Sequence, residues 1–143
     1  MLIRDVMTRD AESTRPNAAL QEVAARMQEL DVGSLPVCDN GRLVGMITDR
    51  DITVRSVSQG HDPQSDLVAA VMTPGITCCF EDQSVEEAAK LMTDHQIRRL
   101  PVLSRDWRLV GIVSLGDLAL QTGDDELVGE TVEGVSEPSL PNR

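Results

Sequence analysis

Residues 35–51, L-P-V-C-D-N-G-R-L-V-G-M-I-T-D-R-D, occur a second time in this chain as residues 100–117, L-P-V-L-S-R-D-W-R-L-V-G-I-V-S-L-G-D. The second copy has one extra residue near Trp107, so the offset between the copies rises from 65 to 66. Farther upstream, Val6-Met7-Thr8 recurs as Val71-Met72-Thr73. Identities that stay in register over this distance indicate one structural unit present twice.

An apolar stripe with helical spacing lies between these two motifs in each copy. In the first copy it begins at Leu20 and continues at i+3, i+4, i+7 and i+10, which predicts an amphipathic helix. The second copy keeps the same phase from Val85. Asn17 and Asp82 stand at matching places just ahead and suit helix N-caps, while Ser84 begins an S-x-x-E capping box.

Short β-rich runs follow each predicted helix. The runs Leu35–Cys38 and Leu43–Thr48 flank Asp39-Asn40-Gly41, and an Asn-Gly pair between two such runs is a strong hairpin signal. The second copy repeats the arrangement with Leu100–Leu103 and Leu109–Ser114 around a longer loop. The sequence therefore predicts one hairpin in each copy.

Two further elements complete the predicted unit. A short strand is expected before each long helix, at residues 12–14 and 76–80, and a final helix after each hairpin, at about residues 49–57 and 116–121. The result is an α/β (α+β) fold with two β-α-β-β-α repeats. We divide the chain into residues 1–62, residues 63–121 and an acidic tail, residues 122–143, expected to be a solvated, partly mobile extension with a possible short helix around 126–132.

One repeat of about 55 residues buries too little surface to be stable alone. The two repeats are therefore expected to pack together about a pseudo-twofold axis. Such packing leaves two symmetric clefts at the seam, and small ligands usually bind in clefts of this kind.

Composition excludes several classes of function. The 143 residues carry 13 basic and 24 acidic side chains, a net charge of −11 that repels a phosphate backbone. Phe80 and Trp107 are the only aromatic residues, so no stacking platform for nucleic acid is expected. No apolar run approaches the ~18 residues of a membrane span, and the first residues lack a secretory signal. Three cysteines without an export signal favour a reducing cytoplasm.

The order V-M-T, L-P-V and R-L-V-G-[MI]-[IV]-[TS]-x-x-D, present twice over about residues 3–121, resembles the cystathionine-β-synthase (CBS) domain pair, in its freestanding bacterial type. The resemblance implies two CBS repeats that form one pair, commonly dimerised, with clefts for adenosine nucleotides such as AMP, ATP or NAD. It also implies a regulatory module that requires no cofactor. The tail lies outside the motif.

A hydroxyl and a carboxylate three residues apart mark the strand-to-helix turn of each copy, as Thr48 with Asp51 and Ser114 with Asp117. This spacing brings both side chains to one side of the first helical turn. A carboxylate there can accept both hydroxyls of a ribose, as in dinucleotide-binding folds, and the CBS resemblance assigns the same role. The alternative is a helix cap that contacts no ligand, because [ST]-x-x-[DE] is also the capping signature.

Positive charge for a phosphate is unequal between the copies. Arg98 and Arg99 precede Leu100 in the second copy, whereas Gly33 and Ser34 occupy those places in the first. Arg50, between Thr48 and Asp51, is a further phosphate candidate. The CBS resemblance implies that a basic residue just before L-P-V reaches a phosphate. Alternatively, Arg98 and Arg99 are cations at the end of the long helix.

Cys78 and Cys79 are adjacent, so they cannot form an ordinary disulfide, and they align with Ser13 and Thr14. Strand packing is the leading interpretation and a redox sensor the alternative. The resemblance implies that their backbone lines an adenine pocket. His61 and His95 have no partner at metal-ligand spacing, so no metal site is predicted.

Three classes of function follow. The leading hypothesis is a regulatory sensor of adenosine nucleotides that acts through a homodimer or an unidentified protein partner. The alternative is a ligand-free structural or interaction module. An enzyme is not predicted, because no nucleophile with a general base is recognisable.

Overall fold

The computed structural model describes residues 1–74 and 76–138 of the chain. Two compact units divide the chain, and they do not follow the boundaries of the sequence repeats. The continuous unit is Glu12–Ile76, and the split unit combines Met1–Ala11 with the chain from Thr77 onward. Each unit contains the long helix and the hairpin of one repeat.

The described residues form seven α-helices, a π-helical and a 3₁₀ segment, and six strands. The helices are α1 Ile3–Val6, α2 Leu20–Leu30, α3 Asp49–Asp51, α4 Val68–Val71, α5 Val85–His95, α6 Leu115–Gln121 and α7 Asp125–Ser136. The strands are β1 Thr8–Arg9, β2 Ser34–Asp39, β3 Arg42–Thr48, β4 Cys79–Phe80, β5 Arg99–Leu103 and β6 Leu109–Ser114. After α3 the chain continues as a π-helix over Ile52–Ser56 and a 3₁₀ turn over Val57–Gln59. This mixed α/β architecture confirms the predicted fold class. None of the described helices is long and apolar enough to span a bilayer.

The split unit is built on a four-stranded sheet of order β1-β6-β5-β4. The β5–β6 hairpin is antiparallel, β4 lies parallel to β5, and β1 pairs antiparallel with β6. Helices α5 and α6 supply apolar side chains to the core. The largest fully buried side chains of this unit are those of Ile3, Met92, Leu100, Val102, Leu103 and Leu118.

The continuous unit is built on the β2–β3 hairpin. Asn40 and Gly41 both have positive φ, 54° and 81°, as a two-residue type I′ turn requires, so the hairpin predicted from Asn-Gly is confirmed. Its core combines the apolar stripe of α2 with the hairpin and α4. The fully buried side chains are those of Leu20, Val23, Val37, Ile47, Val68 and Val71.

Each V-M-T segment pairs with the R-L-V-G strand of the other repeat. Thr8 lies opposite Ile112 in the split unit. In the continuous unit, Thr73 exchanges both backbone hydrogen bonds with Met46, at 2.8 and 3.0 Å. A glycine is needed where the segments meet, because a Cβ on Gly111 would lie 2.6 Å from the Thr8 carbonyl oxygen.

The helix starts differ from the prediction in two places. The N-cap of α2 is Ala19, not Asn17, and no side chain caps it. The N-cap of α5 is Ser84, whose hydroxyl accepts a hydrogen bond from the Glu87 backbone at 3.2 Å. Asp82, the other expected cap, binds a hairpin arginine instead. The expected strand at residues 12–14 is reduced to an isolated bridge from Thr14, and that at 76–80 to the two residues of β4.

The expectation that the acidic tail is a solvated extension is wrong for its described part. Helix α7 packs on α5 and α6, and Thr131, Gly134 and Val135 are buried. A Cβ on Gly134 would lie 2.4 Å from Cγ2 of Thr93, so the two helices touch at this glycine. Leu127, Val128 and Val135 of α7 pack against the core, while Val132 is exposed. The possible short helix around residues 126–132 is confirmed and is longer than expected, Asp125–Ser136.

Candidate functional site

The strand-to-helix turn of each repeat forms a reciprocal capping box. The Thr48 hydroxyl accepts a hydrogen bond from the Asp51 backbone at 3.0 Å, and the Thr48 backbone donates one to Oδ2 of Asp51 at 3.0 Å. Ser114 and Asp117 make the same two bonds at 3.0 and 2.8 Å. The capping interpretation is therefore confirmed in both copies. Ribose binding by these residues stays a prediction.

Capping uses only part of each carboxylate. Oδ1 of Asp51 faces Nε of Arg55 at 3.8 Å. Oδ1 of Asp117 makes no hydrogen bond or ion pair with the described residues. A carboxylate with one oxygen held by the backbone and the other open is oriented and can still accept from a ligand hydroxyl.

Strand register brings two arginines to the second capping box. Arg99 on β5 lies opposite Ser114 on β6, and the Leu115 backbone donates to the carbonyl of Arg98 at 2.9 Å. Both arginines are exposed, and their guanidinium groups contact no carboxylate in the part of the chain that the structure describes. We call residues 98–99 and 114–117 the basic edge.

The first repeat has the same backbone arrangement with different side chains. Ser34 lies opposite Thr48, and the Asp49 backbone donates to the carbonyl of Gly33 at 2.9 Å. The Asp49 carboxylate lies against Gly33, 3.2 Å from where a Cβ would stand. We call residues 33–34 and 48–51 the acidic edge. The six aligned positions carry a net charge of −1 here and +1 at the basic edge.

Arg50 is exposed at the acidic edge, and its backbone N–H donates a hydrogen bond to Oδ1 of Asp49 at 2.8 Å. Its predicted phosphate role stays a prediction. Sequence reasoning missed Asp49 and Arg55, which set the charge beside Asp51. Alignment of the two copies contained the signal, because Asp49 stands where the second copy has Leu115.

The cysteine pair lies at and before β4. Cys79 is buried, its thiol is 3.7 Å from the Pro101 carbonyl, and burial raises its pKa to about 12. Burial also raises the pKa of the half-buried Cys78. Packing of Cys79 in the sheet is confirmed, and raised pKa values disfavour the reactive thiolate that a redox sensor needs. A role of either backbone in adenine binding stays a prediction.

The only two aromatic residues of the chain meet at the surface of the split unit, which sequence reasoning missed. Phe80 and Trp107 pack edge to face with ring centroids 5.3 Å apart. The Arg105 guanidinium lies 4.2 Å from the Phe80 centroid and binds Asp82, and this hydrogen bond lowers the pKa of that carboxyl. The cluster fixes the hairpin tip that follows β5, at the opposite end of the strand from Arg99.

Potential metal ligands do not converge among the described residues. No group of three or more His, Cys, Asp or Glu side chains there could hold an ion. Between α3 and α4, Asp66 faces Nδ1 of His61 at 3.0 Å and accepts a hydrogen bond from the buried Ser56 hydroxyl at 2.9 Å.

Comparison with known proteins gives a consistent result. The CBS domain family profile matches residues 3–57 and again residues 68–121. The CBS domain-containing protein YhcV of Bacillus subtilis is 40% identical over 138 residues, 96% of this chain and 97% of that protein. The crystal structure of Hypoxic Response Protein I with two coordinated zinc ions is 36% identical, with a TM-score of 0.78 over 85% of this chain and 98% of its own. The structure of CBSX2 in complex with AMP is 27% identical, with a TM-score of 0.74 over 85% and 98%.

Proposed function

The chain belongs to the CBS domain family, and we propose on that basis that it is a regulatory module that binds an adenosine nucleotide, with AMP as the first candidate. The basic edge is the principal site. Arg99 and Arg98 bind the phosphate, and Asp117 accepts the ribose hydroxyls. The module binds its ligand without chemical change and transmits occupancy through a homodimer in the cytoplasm.

The observation that carries this proposal is the register of β5 and β6. Arg99 is paired in this register with Ser114, the residue that begins the second capping box, and the Asp117 carboxylate of that box has one open oxygen. A phosphate and a ribose diol are neighbours in a 5′-nucleotide, so this pair of groups matches two parts of one ligand. Similarity to an AMP-bound CBS protein supports the choice of adenosine.

Unequal charge gives the two edges unequal roles. A charge-assisted hydrogen bond contributes about 1.5–3 kcal/mol, which is about ten- to a hundredfold in affinity. The acidic edge lacks both arginines and adds Asp49. We therefore propose one tight nucleotide per chain, bound at the basic edge, and a second that binds weakly.

Calorimetry with AMP and with adenosine tests the proposal. Arg99→Ala should weaken AMP binding about ten- to a hundredfold and leave adenosine binding nearly unchanged, because only AMP presents a phosphate. Arg42→Ala, which removes an exposed arginine from the other repeat, is the matched control and should behave as wild type. An equal loss for AMP and adenosine would remove the phosphate role from Arg99.

The ribose role needs a substitution that keeps the cap. Asp117→Ala would lose both the capping bond and the ligand acceptor, whereas Asp117→Asn retains an oxygen for the Ser114 backbone. Asp117→Asn should therefore weaken both AMP and adenosine with little change in stability. Unchanged affinity in this variant would leave Asp117 as a cap alone.

The second candidate function is a ligand-free interaction module. It is favoured at the acidic edge, where no arginine precedes L-P-V. A thermal-shift screen with AMP, ADP, ATP, NAD and S-adenosylmethionine discriminates the two, because a ligand at a hundred times its dissociation constant adds about 2.7 kcal/mol of stability. No shift with any of them would favour the interaction module.

A further inference from the structure

Arg55 connects the Asp51 carboxylate to the end of α4. Its Nε lies 3.8 Å from Oδ1 of Asp51, and its Nη1 donates a hydrogen bond to the Val71 carbonyl at 3.3 Å. That carbonyl belongs to the last turn of α4, where carbonyl groups have no partner inside the helix. The Arg55 side chain is 52% exposed, whereas that of Asp51 is only 12% exposed. Little of the Asp51 carboxylate is therefore left for a ligand to contact.

The second repeat keeps the carboxylate and lacks the arginine. At the offset of 66, Gln121 stands where the first copy has Arg55. Gln121 is exposed, and its side chain forms no hydrogen bond within residues 1–74 and 76–138. The carboxylate of Asp117 thus has no neighbouring cation on its own helix.

The helix type after the capping box differs as well. The chain that follows Asp51 is π-helical over Ile52–Ser56, whereas α6 is a regular α-helix over Leu115–Gln121. A π-helical turn is rare and is frequently found at functional sites. The fold does not require this one, because the second repeat forms the same turn and helix without it.

A ribose diol and the Arg55 guanidinium need the same acceptor. Oδ2 of Asp51 already accepts a hydrogen bond from the Thr48 backbone, so Oδ1 is the oxygen that remains for further donors. The guanidinium is always charged and carries donors only, so it keeps its attraction to the carboxylate at any pH at which the carboxylate is ionised. Ligand hydroxyls must therefore displace Arg55 from Asp51, whereas at Asp117 they displace no side chain.

We propose that Arg55 is a specificity-determining residue: its guanidinium occupies the ribose acceptor of the acidic edge and weakens the binding of every nucleoside there. This inference rests on the proposed function and adds a second cause to the unequal edges. The missing arginines before L-P-V act on the phosphate, whereas Arg55 acts on the ribose. A nucleoside without a phosphate should therefore still prefer the basic edge.

The exposure of Arg55 sets the size of the effect. An ion pair that is half exposed to water contributes little, because solvent screens it. Removal of Arg55 should therefore strengthen nucleoside binding at the acidic edge about two- to fivefold, which corresponds to ~0.4–1 kcal/mol.

A site-resolved NMR titration of the isotope-labelled full chain with adenosine tests this. The backbone amide signals of residues 48–51 report on the acidic edge and those of residues 114–117 on the basic edge, so one titration gives two dissociation constants. Adenosine is the probe because it is uncharged, so that its affinity does not follow the net charge of each variant. In the wild-type chain the basic edge should bind adenosine about two- to fivefold more tightly than the acidic edge.

Two reciprocal variants exchange the residue between the repeats. Arg55→Gln should strengthen adenosine binding at the acidic edge about two- to fivefold and leave the basic edge unchanged. Gln121→Arg should weaken binding at the basic edge by a similar factor. Arg42→Gln is the matched control, because it removes the same charge from the exposed start of β3, at the opposite end of that strand from Thr48. It should leave both edges unchanged.

The outcomes separate this inference from the proposed function. Adenosine binding at the acidic edge that Arg55→Gln leaves unchanged or weakens overturns the inference alone, since weaker binding would mean that Arg55 orients Asp51 or contacts the ligand. If Arg55→Gln does not fold, Gln121→Arg decides, and an unchanged affinity at the basic edge overturns the inference. Wild-type chain that binds neither adenosine nor AMP at either edge overturns the proposed function and this inference together.

Discussion

The acidic edge and the basic edge have the same backbone and opposite charge. Both combine a reciprocal capping box with a strand residue directly across from it, and the hydrogen-bond lengths agree within 0.2 Å. Yet Arg98 and Arg99 stand where the first repeat has Gly33 and Ser34. The capping boxes maintain the shape of the turn by themselves, so the side chains beside them are free to differ. The two copies keep the same backbone geometry and differ in the charge beside it.

The two repeats should differ most in their tolerance of a side chain at the R-L-V-G glycine. A Cβ on Gly111 would lie 2.6 Å from the Thr8 carbonyl oxygen, whereas a Cβ on Gly45 would lie 2.8 Å from the flexible Met72 sulfur and 3.1 Å from the Thr73 carbonyl oxygen. Because backbone cannot yield as a methionine can, Gly111→Ala should cost about 3 kcal/mol of unfolding free energy and Gly45→Ala about 1 kcal/mol. Urea denaturation measures both. Equal losses would show that the Val6-Met7-Thr8 and Val71-Met72-Thr73 segments pack equally closely against the two glycines.

Exchange of side chains between the edges should exchange their affinities in part. Arg99→Ser copies the first repeat into the second and should weaken AMP binding by about 1.5–3 kcal/mol. Ser34→Arg makes the reverse change and should gain less, because Asp49 stays beside it. Calorimetry on both variants gives the two numbers. If Arg99→Ser binds AMP as wild type does, charge does not distinguish the edges.

The helix that covers only one repeat provides a third comparison. Gly134→Ala should destabilise the split unit by about 1–2 kcal/mol, because its new methyl group collides with Thr93 at 2.4 Å. Gly129→Ala in the same helix has open space and should stabilise by up to about 1 kcal/mol. Hydrogen exchange should locate the loss in α5 and α7. A loss of protection that reached α2 equally would contradict a local effect.

The smallest expected difference between the repeats is in the pH dependence of stability above neutral pH. It comes from Cys79 in the second repeat, which aligns with Thr14 in the first. The raised pKa keeps the Cys79 thiol protonated in the folded state, while the unfolded chain ionises above the ordinary value of 9.0. Its contribution is therefore complete below pH 9 and decreases as the pH rises from 9 toward 12. Cys79→Thr should lose less stability than wild type between pH 8 and pH 10, by chemical denaturation. If wild type and Cys79→Thr lose stability equally over this range, the group that titrates is not Cys79.

The sequence predicted those elements whose signals are local. The Asn40-Gly41 pair predicted its hairpin, and the hydroxyl-carboxylate spacing predicted both boxes, since each depends on residues close in the chain. The pairing of Thr8 with Ile112 was out of reach, because no local pattern reports which distant strand a two-residue segment joins. The sequence indicated a possible short helix around residues 126–132 but not its packing on α5 and α6, because its many carboxylates are typical of a solvated segment. The roles of the candidate site residues depend on how a ligand binds. Neither the local sequence pattern nor the fold establishes them, so they stay predictions.

The pairing of the N-terminal segment, residues 1–11, with β6 affects the order in which the protein folds during synthesis. The continuous unit is built from Glu12–Ile76, so all of its residues have left the ribosome before the split unit is complete. Residues 1–11 must wait for β6, whose Ile112 follows Thr8 by about 100 residues. At about 5–20 residues per second, this delay lasts about 5–20 s. For that time the buried side chains of Ile3, Val6 and Met7 lack their native partners on the nascent chain.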